Sequence, residues 1–294
     1  MPSSVPGRRF AAASTVPARA RRILAAVLCA PLLAGACTTV QTTKPGVIGV
    51  DRKQRMSVLV SEDELVAGAA TAYSQVLAAE RKKDTLNTDA RQLARLRGIA
   101  GRIIPQVDAF RPEAEGWDWQ VNLIRADELN AWAMPGGKIA FYSGIIDKLS
   151  LKDDEIAAIM GHEIAHALRE HSRERASEQA TTNAILSAGT IAGSILTGID
   201  LRGASQATQL VYQTTFGLKH SREHEIEADR IGVELAARAG FDPTAAIRVW
   251  QKMATVTGGK SGPEFLSTHP SNESRIEDLK VYSAKVMPLY RAAG

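Results

Sequence analysis

The strongest constraint on the fold of this chain is a pair of histidines four residues apart, His162 and His166, in an apolar segment with helical periodicity. A helix turns by about 100° per residue, so both imidazoles point the same way and can reach one metal ion. Glu163 is offset from that direction and can instead reach a water molecule beside the metal. The spacing therefore predicts a helix that carries one Zn²⁺, with His162 and His166 as ligands and Glu163 as the catalytic base.

A catalytic zinc ion takes a third protein ligand and leaves one position open. Residues 221–229 offer several carboxylates for this role. Glu225 and Asp229 share one face of a predicted helix, whereas Glu223 and Glu227 share another. Helical geometry leaves both pairs open, and the face that does not hold the metal is expected to carry solvated charge.

Other histidines and the cysteines limit the site further. His171 lies nine positions after His162, about half a turn around an uninterrupted helix, so it is expected to stay outside the metal site. The cysteines of the sequence are Cys29 and Cys37, and both precede the predicted folded body. The metal must therefore be held by imidazole and carboxylate groups.

Four motifs in a fixed order resemble those of a known family. They are NAWAMPGG at 130–137, HEIAH at 162–166, EIEAD at 225–229, and STHPS at 267–271 followed by Arg275. This combination resembles the gluzincin metallopeptidase family of HtpX heat-shock proteases, CAAX prenyl proteases and the mitochondrial inner-membrane quality-control protease. The similarity is greatest to its soluble bacterial periplasmic lipoprotein members, because the long hydrophobic spans of HtpX and the prenyl proteases are absent from the sequence.

The resemblance implies roles for individual residues. Glu225 corresponds to the third zinc ligand, and Asp229 to the carboxylate that holds a ligating histidine. His269 and Arg275 correspond to groups near the active site and are expected to be catalytic, as donors to the carbonyl oxygen of the scissile bond. The implied substrate-binding positions, on an edge strand that pairs with the substrate backbone, are Asn130, Ala131, Trp132 and Ala133. The implied fold is α+β: a predominantly helical, zincin-like metalloprotease with a small β-sheet whose edge strand lines the active-site cleft.

Residues 1–36 have the pattern of a bacterial export signal. Five arginines and no acidic residue precede position 37, and residues 23–36 are uncharged. That run is shorter than the ~20 residues of a membrane span and ends in small residues before Cys37. We therefore predict a lipoprotein-type signal peptide over 1–36, lipidation of Cys37, a flexible lipid-anchored tether over 37–58, and a zinc metallopeptidase domain over 59–290. An ordinary signal peptide or a short membrane anchor is the alternative.

The net charge of +4 gives no support to a nucleic-acid partner. Without the N-terminal arginines, 31 basic residues face 32 acidic ones, so the predicted body is nearly neutral. Thr38 follows Cys37 where an aspartate would favour retention in the inner membrane, so the expected address is the periplasmic face of the outer membrane.

Residues and resemblance together predict a zinc-dependent endopeptidase of the bacterial envelope that cleaves misfolded or misassembled proteins. Its expected partners are unfolded polypeptides, the membrane through the lipid anchor, and the envelope assembly machinery. Two alternatives stay open: an amidase acting on peptidoglycan peptides, and a non-catalytic, chaperone-like periplasmic lipoprotein. A third is a latent enzyme whose groove is occluded by residues 172–220. Within that segment, residues 182–199 are expected to form a buried or groove-lining helical hairpin rather than a membrane span.

Overall fold

The structure is a computed structural model that describes residues 37–186, 204–256, 264–269 and 273–294. The strands are β1 (Cys37–Val40), β2 (Gln54–Ser57), β3 (Gln120–Ile124), β4 (Ala131–Met134) and β5 (Lys138–Tyr142). The helices are α1 (Glu62–Lys82), α2 (Ala90–Ile103), α3 (Ser143–Lys148), α4 (Asp153–Leu168), α5 (His171–Leu186), α6 (Gln206–Tyr212), α7 (Arg222–Arg238), α8 (Ala245–Val256), α9 (Glu264–Thr268) and α10 (Glu273–Ala293). Short 3₁₀ helices cover Ile104–Ala109 and Pro112–Gly116, and a π-helical turn covers Gln213–Gly217. The predicted fold class, predominantly helical α+β with a small sheet, is confirmed.

Helix α4 forms the centre of the core. Every residue from Glu155 to Leu168 is buried, as expected of a helix that packs on all sides. The helix begins where the Glu155 carboxylate accepts a hydrogen bond of 2.8 Å from the Lys152 N–H. Ser150 has a φ of +46° and lies before the helix, so it does not cap α4.

Helix α7 crosses α4 at a pair of glycines. A Cβ atom on Gly161 would lie 2.7 Å from the carbonyl oxygen of Gly232, and one on Gly232 would lie 2.7 Å from the His162 nitrogen. Both contacts are too short for a side chain, so the two backbones can approach this closely only because neither residue has a Cβ. The crossing brings the first turns of α7 alongside the histidines of α4.

The three-stranded sheet has the order β3-β5-β4, with β3 parallel and β4 antiparallel to the central β5. Strand β4 therefore lies at an edge, as predicted. The Tyr142 N–H donates to the Asn130 carbonyl oxygen at 3.1 Å. Because hydrogen-bonded pairs alternate along an antiparallel ladder, the N–H and C=O groups of Ala131 and Ala133 point away from β5, towards the open edge.

Residues 37–57 do not form a flexible tether, so that prediction is wrong for this segment. Strands β1 and β2 pair in an antiparallel hairpin, and Ile48 and Met56 are buried. The Ile48 N–H donates to the Glu234 carboxylate at 2.9 Å, which fixes the segment to α7. Gln54 donates to the carbonyl oxygen of Arg169 at the end of α4. Buried apolar side chains and polar groups distant in sequence hold this segment, and its local composition does not reveal them.

None of the helices in the described parts of the chain is long and apolar enough to cross a bilayer. Residues 182–186 end helix α5, and the rest of the predicted hairpin, 187–199, lies outside the described residues. The predicted signal segment, 1–36, lies outside them as well.

Candidate active site

Four buried side chains bring their metal-binding atoms within 4.8 Å of one another where α4 and α7 cross. The His162 and His166 Nε2 atoms are 3.0 Å apart. The Glu225 carboxylate lies 3.4 Å from Nε2 of His166 and 3.7 Å from Nε2 of His162. The cluster consists of His162, His166, Glu225 and His269.

This cluster fits a zinc ion. Two nitrogens at about 2.0–2.1 Å from a tetrahedral zinc lie roughly 3.3 Å apart, close to the separation of the two Nε2 atoms. Imidazole and carboxylate are also the ligands that zinc takes in hydrolytic sites. Of the carboxylates that helical geometry left open, the structure places Glu225 beside both histidines, whereas Glu223 is exposed.

His162 is held by a carboxylate from α7. Its Nδ1 lies 3.0 Å from Asp229, and because a carboxylate can only accept, Nδ1 carries the proton and Nε2 keeps its lone pair for a metal. Burial raises the pKa of Asp229, but the Arg275 guanidinium and the His162 hydrogen bond outweigh it and lower the pKa overall. Asp229 thus lies beside His162, on the side of the ring opposite to Nε2.

Arg275 does not face the place where a substrate carbonyl would lie. Its guanidinium is buried and pairs with Asp229 at 2.7 Å and with Glu225 at 2.6 Å. It also stacks at 4.0 Å on the ring of Trp250. These contacts do not support the predicted role of a catalytic donor to the substrate. They support a role in holding the two carboxylates that contact His162 and His166.

His166 is held by a second histidine. Its Nδ1 lies 2.8 Å from Nδ1 of His171, whose Nε2 lies 3.1 Å from Glu227. The prediction that His171 stays clear of the site is wrong, because α4 ends at Leu168 and the chain turns at Glu170 with a φ of +51°. Helical rotation no longer applies beyond that turn, and His171 begins the next helix beside His166.

Glu227 is buried rather than solvated, which corrects the second expectation for the 221–229 segment. It pairs with Arg169 at 2.9 Å and with Arg52 at 2.6 Å. Arg52 also pairs with Glu174 at 2.7 Å, and Glu174 contacts His224 at 3.0 Å. Residues 37–57 (the hairpin segment), α5 and α7 thus share one polar network behind His166.

Glu163 is positioned as a base. Burial raises its pKa, against the opposing effect of the nearby histidines, so the carboxylate binds a proton more readily than an exposed one. The Ala133 N–H on the open edge of β4 lies near the carboxylate and favours its ionised form. The Glu163 Oε1 lies 3.5 Å from Nε2 of His269. Glu163 therefore lies next to the strand that is expected to align a substrate.

A cleft of about 430 Å³ adjoins Glu163 and His166. The predicted substrate-binding residues, 130–133, line it together with His269. The side chain of Trp132 is buried and contacts the rings of Tyr73 and Phe216, with centroids 5.7 and 5.3 Å away. Trp132 therefore anchors the strand in the core, and the backbone of β4 is what this edge offers to a ligand.

Several residues of the site escaped prediction. His171 and Glu227 had been placed outside it, and Arg175 and His220, which also line the cleft, had no role assigned. The signal available in the sequence was the number of histidines. The chain has six in 294 residues, five of them between 162 and 224, although only two were needed as zinc ligands. Helical rotation from His162 misplaced His171 because it ignored the turn at Glu170.

The sequences of known proteins support the same interpretation of the site. The sequence profile of Peptidase family M48 matches residues 90–283, more than half of the chain. Mitochondrial metalloendopeptidase OMA1 of Saccharomyces cerevisiae is 31% identical over 183 residues, which are 60% of this chain and 50% of that protein. Metalloendopeptidase OMA1 of Bos taurus is 32% identical over 206 residues, 68% of this chain and 39% of that protein.

A bacterial relative matches at a similar level. The β-barrel assembly-enhancing protease of Escherichia coli K12 is 32% identical over 170 residues, 57% of this chain and 35% of that protein. The chain spans half or less of the length of these three relatives. The resemblance drawn from the four sequence motifs is confirmed, and the chain belongs to peptidase family M48.

Proposed function

We propose that the protein is a zinc-dependent endopeptidase. The observation that carries this proposal is the convergence of His162, His166 and Glu225 within 4.8 Å beside a buried glutamate, Glu163, whose pKa is raised. Two of its relatives in family M48 are named metalloendopeptidases, and these names support the same reaction.

His162, His166 and Glu225 would hold the zinc ion. When bound, zinc acts as a Lewis acid that makes water a stronger nucleophile near neutral pH and polarises the scissile carbonyl. Glu163 takes the proton from the attacking water, and the same carboxyl group can return it to the departing amine. Asp229 and His171 hold the two imidazoles with Nε2 facing inward.

The edge of β4 aligns the substrate. Ala131 and Ala133 direct backbone groups away from β5, so an extended peptide can add to the sheet beside Glu163. Recognition through backbone groups requires an unfolded segment and imposes a loose sequence preference. This favours misfolded polypeptides as substrates over folded proteins.

The cellular setting is also part of the proposal. The export-type N-terminus, with Cys37 as the lipidation site, supports a lipid-anchored protein of the bacterial periplasm, on the outer membrane. The name of the Escherichia coli relative supports a role in envelope protein quality control beside the assembly machinery. Palmitate labelling of the full-length chain and of Cys37→Ser tests the anchor. Label incorporated into the wild type and absent from the variant supports it, and no label in either contradicts it.

Glu163→Gln tests the reaction itself. The change removes the base but keeps the shape and the metal ligands, so casein cleavage should fall by about 10²–10⁴-fold while one zinc per chain is retained. Glu223→Gln, on the exposed side of α7, is the matched control and should cleave at the wild-type rate. Casein cleavage by Glu163→Gln at the wild-type rate would contradict the mechanism.

The same proteins separate the alternatives raised by the sequence. Digestion of muropeptides but not of casein would assign the site to peptidoglycan peptides. Suppression of aggregation by both wild type and Glu163→Gln, with no cleavage by either, would identify a chaperone-like binder.

A further inference from the structure

One arginine in the cleft is buried and forms no ion pair with a carboxylate of the described residues. Arg175 lies on α5, and 5% of its surface is exposed. It lines the 430 Å³ cleft together with Ala131 and Ala133 of β4, Glu163 and Phe216. The guanidinium therefore belongs to the space that a substrate would occupy, and nothing in the mechanism above uses it.

The hydrogen bonds of Arg175 are incomplete. Its Nη2 donates to the carbonyl oxygen of Thr214. Its Nε and Nη1 atoms are buried and have no hydrogen-bond partner among the described residues, with which it also forms no ion pair. Burial lowers the pKa of Arg175 to about 10, which leaves it charged at neutral pH. A buried charge without a partner is costly, so such a group is expected to have one when the site is filled.

The carboxylates nearest to this part of the cleft are already engaged. Glu225 pairs with Arg275 at 2.6 Å and contacts His269 at 3.0 Å. Glu163 lies 3.5 Å from Nε2 of His269 and serves as the base. The described part of the cleft thus offers Arg175 no carboxylate of its own, whereas Arg169 and Arg275, which are also buried near the site, each pair with at least one.

We propose that Arg175 binds a carboxylate of the substrate peptide. This inference rests on the proposed peptidase function and adds a substrate class to it: peptides with an acidic group close to the scissile bond. The carboxylate can belong to an acidic side chain or to the free C-terminus of the peptide. Both would accept hydrogen bonds from Nε or Nη1, and charge-assisted bonds of this kind are about twice as strong as neutral ones.

The test compares matched peptides. A peptide that the enzyme cleaves is made with Glu or Gln at each position flanking the cleaved bond, and with a free or an amidated C-terminus. For the wild type, kcat/KM should be about tenfold or more higher for the peptide with the correctly placed carboxylate. A preference that follows the Glu–Gln exchange identifies the side chain, and one that follows the terminus identifies the C-terminal group.

Variants of Arg175 assign the preference to this residue. Arg175→Gln should reduce the ratio between acidic and neutral peptides to about twofold or less, and Arg175→Lys should restore part of it because the charge returns. Arg173→Gln is the matched control. It removes the same charge from the same helix, but Arg173 bonds to Val60 and Glu170 and does not line this cleft. Its ratio should equal that of the wild type.

Binding supplies a readout that does not depend on turnover. In the Glu163→Gln background, the acidic peptide should bind about tenfold more tightly than the neutral one, and adding Arg175→Gln should remove that difference.

Equal ratios of acidic to neutral cleavage for wild type and Arg175→Gln overturn the proposal. An equal loss of kcat for every peptide in Arg175→Gln also overturns it, because the guanidinium would then act on the reacting carbonyl. If the zinc-loaded wild type cleaves no peptide, the proposed function fails. Equal cleavage of acidic and neutral peptides refutes only the role of Arg175.

Discussion

The two histidines that face the candidate zinc position are held by different surroundings. His162 donates directly to Asp229, a carboxylate fixed by Arg275. His166 reaches a carboxylate only through another imidazole, since His171 lies between it and Glu227. In both arrangements, the hydrogen bonds place the proton of the histidine on Nδ1 and leave its Nε2 unprotonated. Glu227 can only accept, so a neutral His171 carries its proton on Nε2 and accepts at Nδ1 from His166, whose Nε2 is then free for the metal.

The difference lies in which parts of the chain each side depends on. The His162 side uses α4, α7 and α10, which pack at the crossing of the core. The His166 side uses the turn after α4 and, through Arg52, the hairpin segment 37–57. His162 therefore depends on the core, and His166 depends on a segment whose sequence resembles a tether.

The largest effect is expected on the core side. Asp229→Ala removes the acceptor of His162 and leaves Arg275 buried with one carboxylate fewer. Zinc affinity should fall by about 10–100-fold, and the free energy of unfolding by about 3–5 kcal/mol. Chelator competition and denaturant titration measure the two. Asp278→Ala, which breaks a part-exposed pair with Arg230, should leave zinc affinity unchanged. Wild-type zinc affinity in Asp229→Ala would show that the carboxylate does not hold His162.

The crossing of α4 and α7, on which both histidines depend, can be disturbed by adding one carbon atom. Gly232→Ala places a Cβ 2.7 Å from the His162 nitrogen, so the free energy of unfolding should drop by about 1–3 kcal/mol. Gly98→Ala is the control, because its Cβ meets nothing within 4 Å inside α2 and should stabilise the protein by about 0.5–1 kcal/mol. Equal effects of the two substitutions would contradict the close approach of α4 and α7.

The relay is tested at His171. His171→Leu removes both its donor and its acceptor, so zinc affinity should fall by about tenfold. His171→Gln supplies an amide oxygen towards His166 and an amide N–H towards Glu227, and should stay within about threefold of the wild type. Chelator competition decides between them. If His171→Leu and His171→Gln have the same zinc affinity, His171 fills space and does not orient His166.

The smallest effect is expected where the hairpin segment joins the network. Burial raises the pKa of Glu174, but hydrogen bonds from Arg52, His224 and Gln54 outweigh it and lower the pKa below its ordinary 4.5. A carboxyl group whose pKa is lowered on folding stabilises the fold above its ordinary pKa and loses that contribution as the pH falls. Arg52→Gln should therefore cost about 1 kcal/mol near pH 7, and its difference from wild type should narrow below about pH 4. Denaturant titration at several pH values measures this. A constant difference across that range would contradict the assignment.

Local patterns predicted the parts of the site that depend on local structure. The spacing of His162 and His166 predicted α4. Family resemblance singled out Glu225, which the structure places beside both histidines, since helix geometry had left two carboxylate pairs open. Elements whose position follows from neighbouring residues were therefore accessible from the sequence.

The remaining contacts depend on residues far apart in the chain. Glu227 is buried because Arg52, 175 positions earlier, and Arg169 pair with it. His171 reaches His166 because the chain turns at Glu170, a backbone conformation that no motif indicated. Tertiary pairing thus converted two residues predicted to be peripheral into supports of the site.

Zinc content of the folded, full-length chain tests the central claim most directly. Elemental analysis after purification without chelator should give one zinc per wild-type chain and one for Glu223→Ala, whose side chain is exposed on the same helix. Glu225→Ala, which removes the ligand 3.4 Å from His166, should hold far less than one. A wild-type chain that is folded but free of stoichiometric metal, or a Glu225→Ala variant with full zinc, would contradict the account.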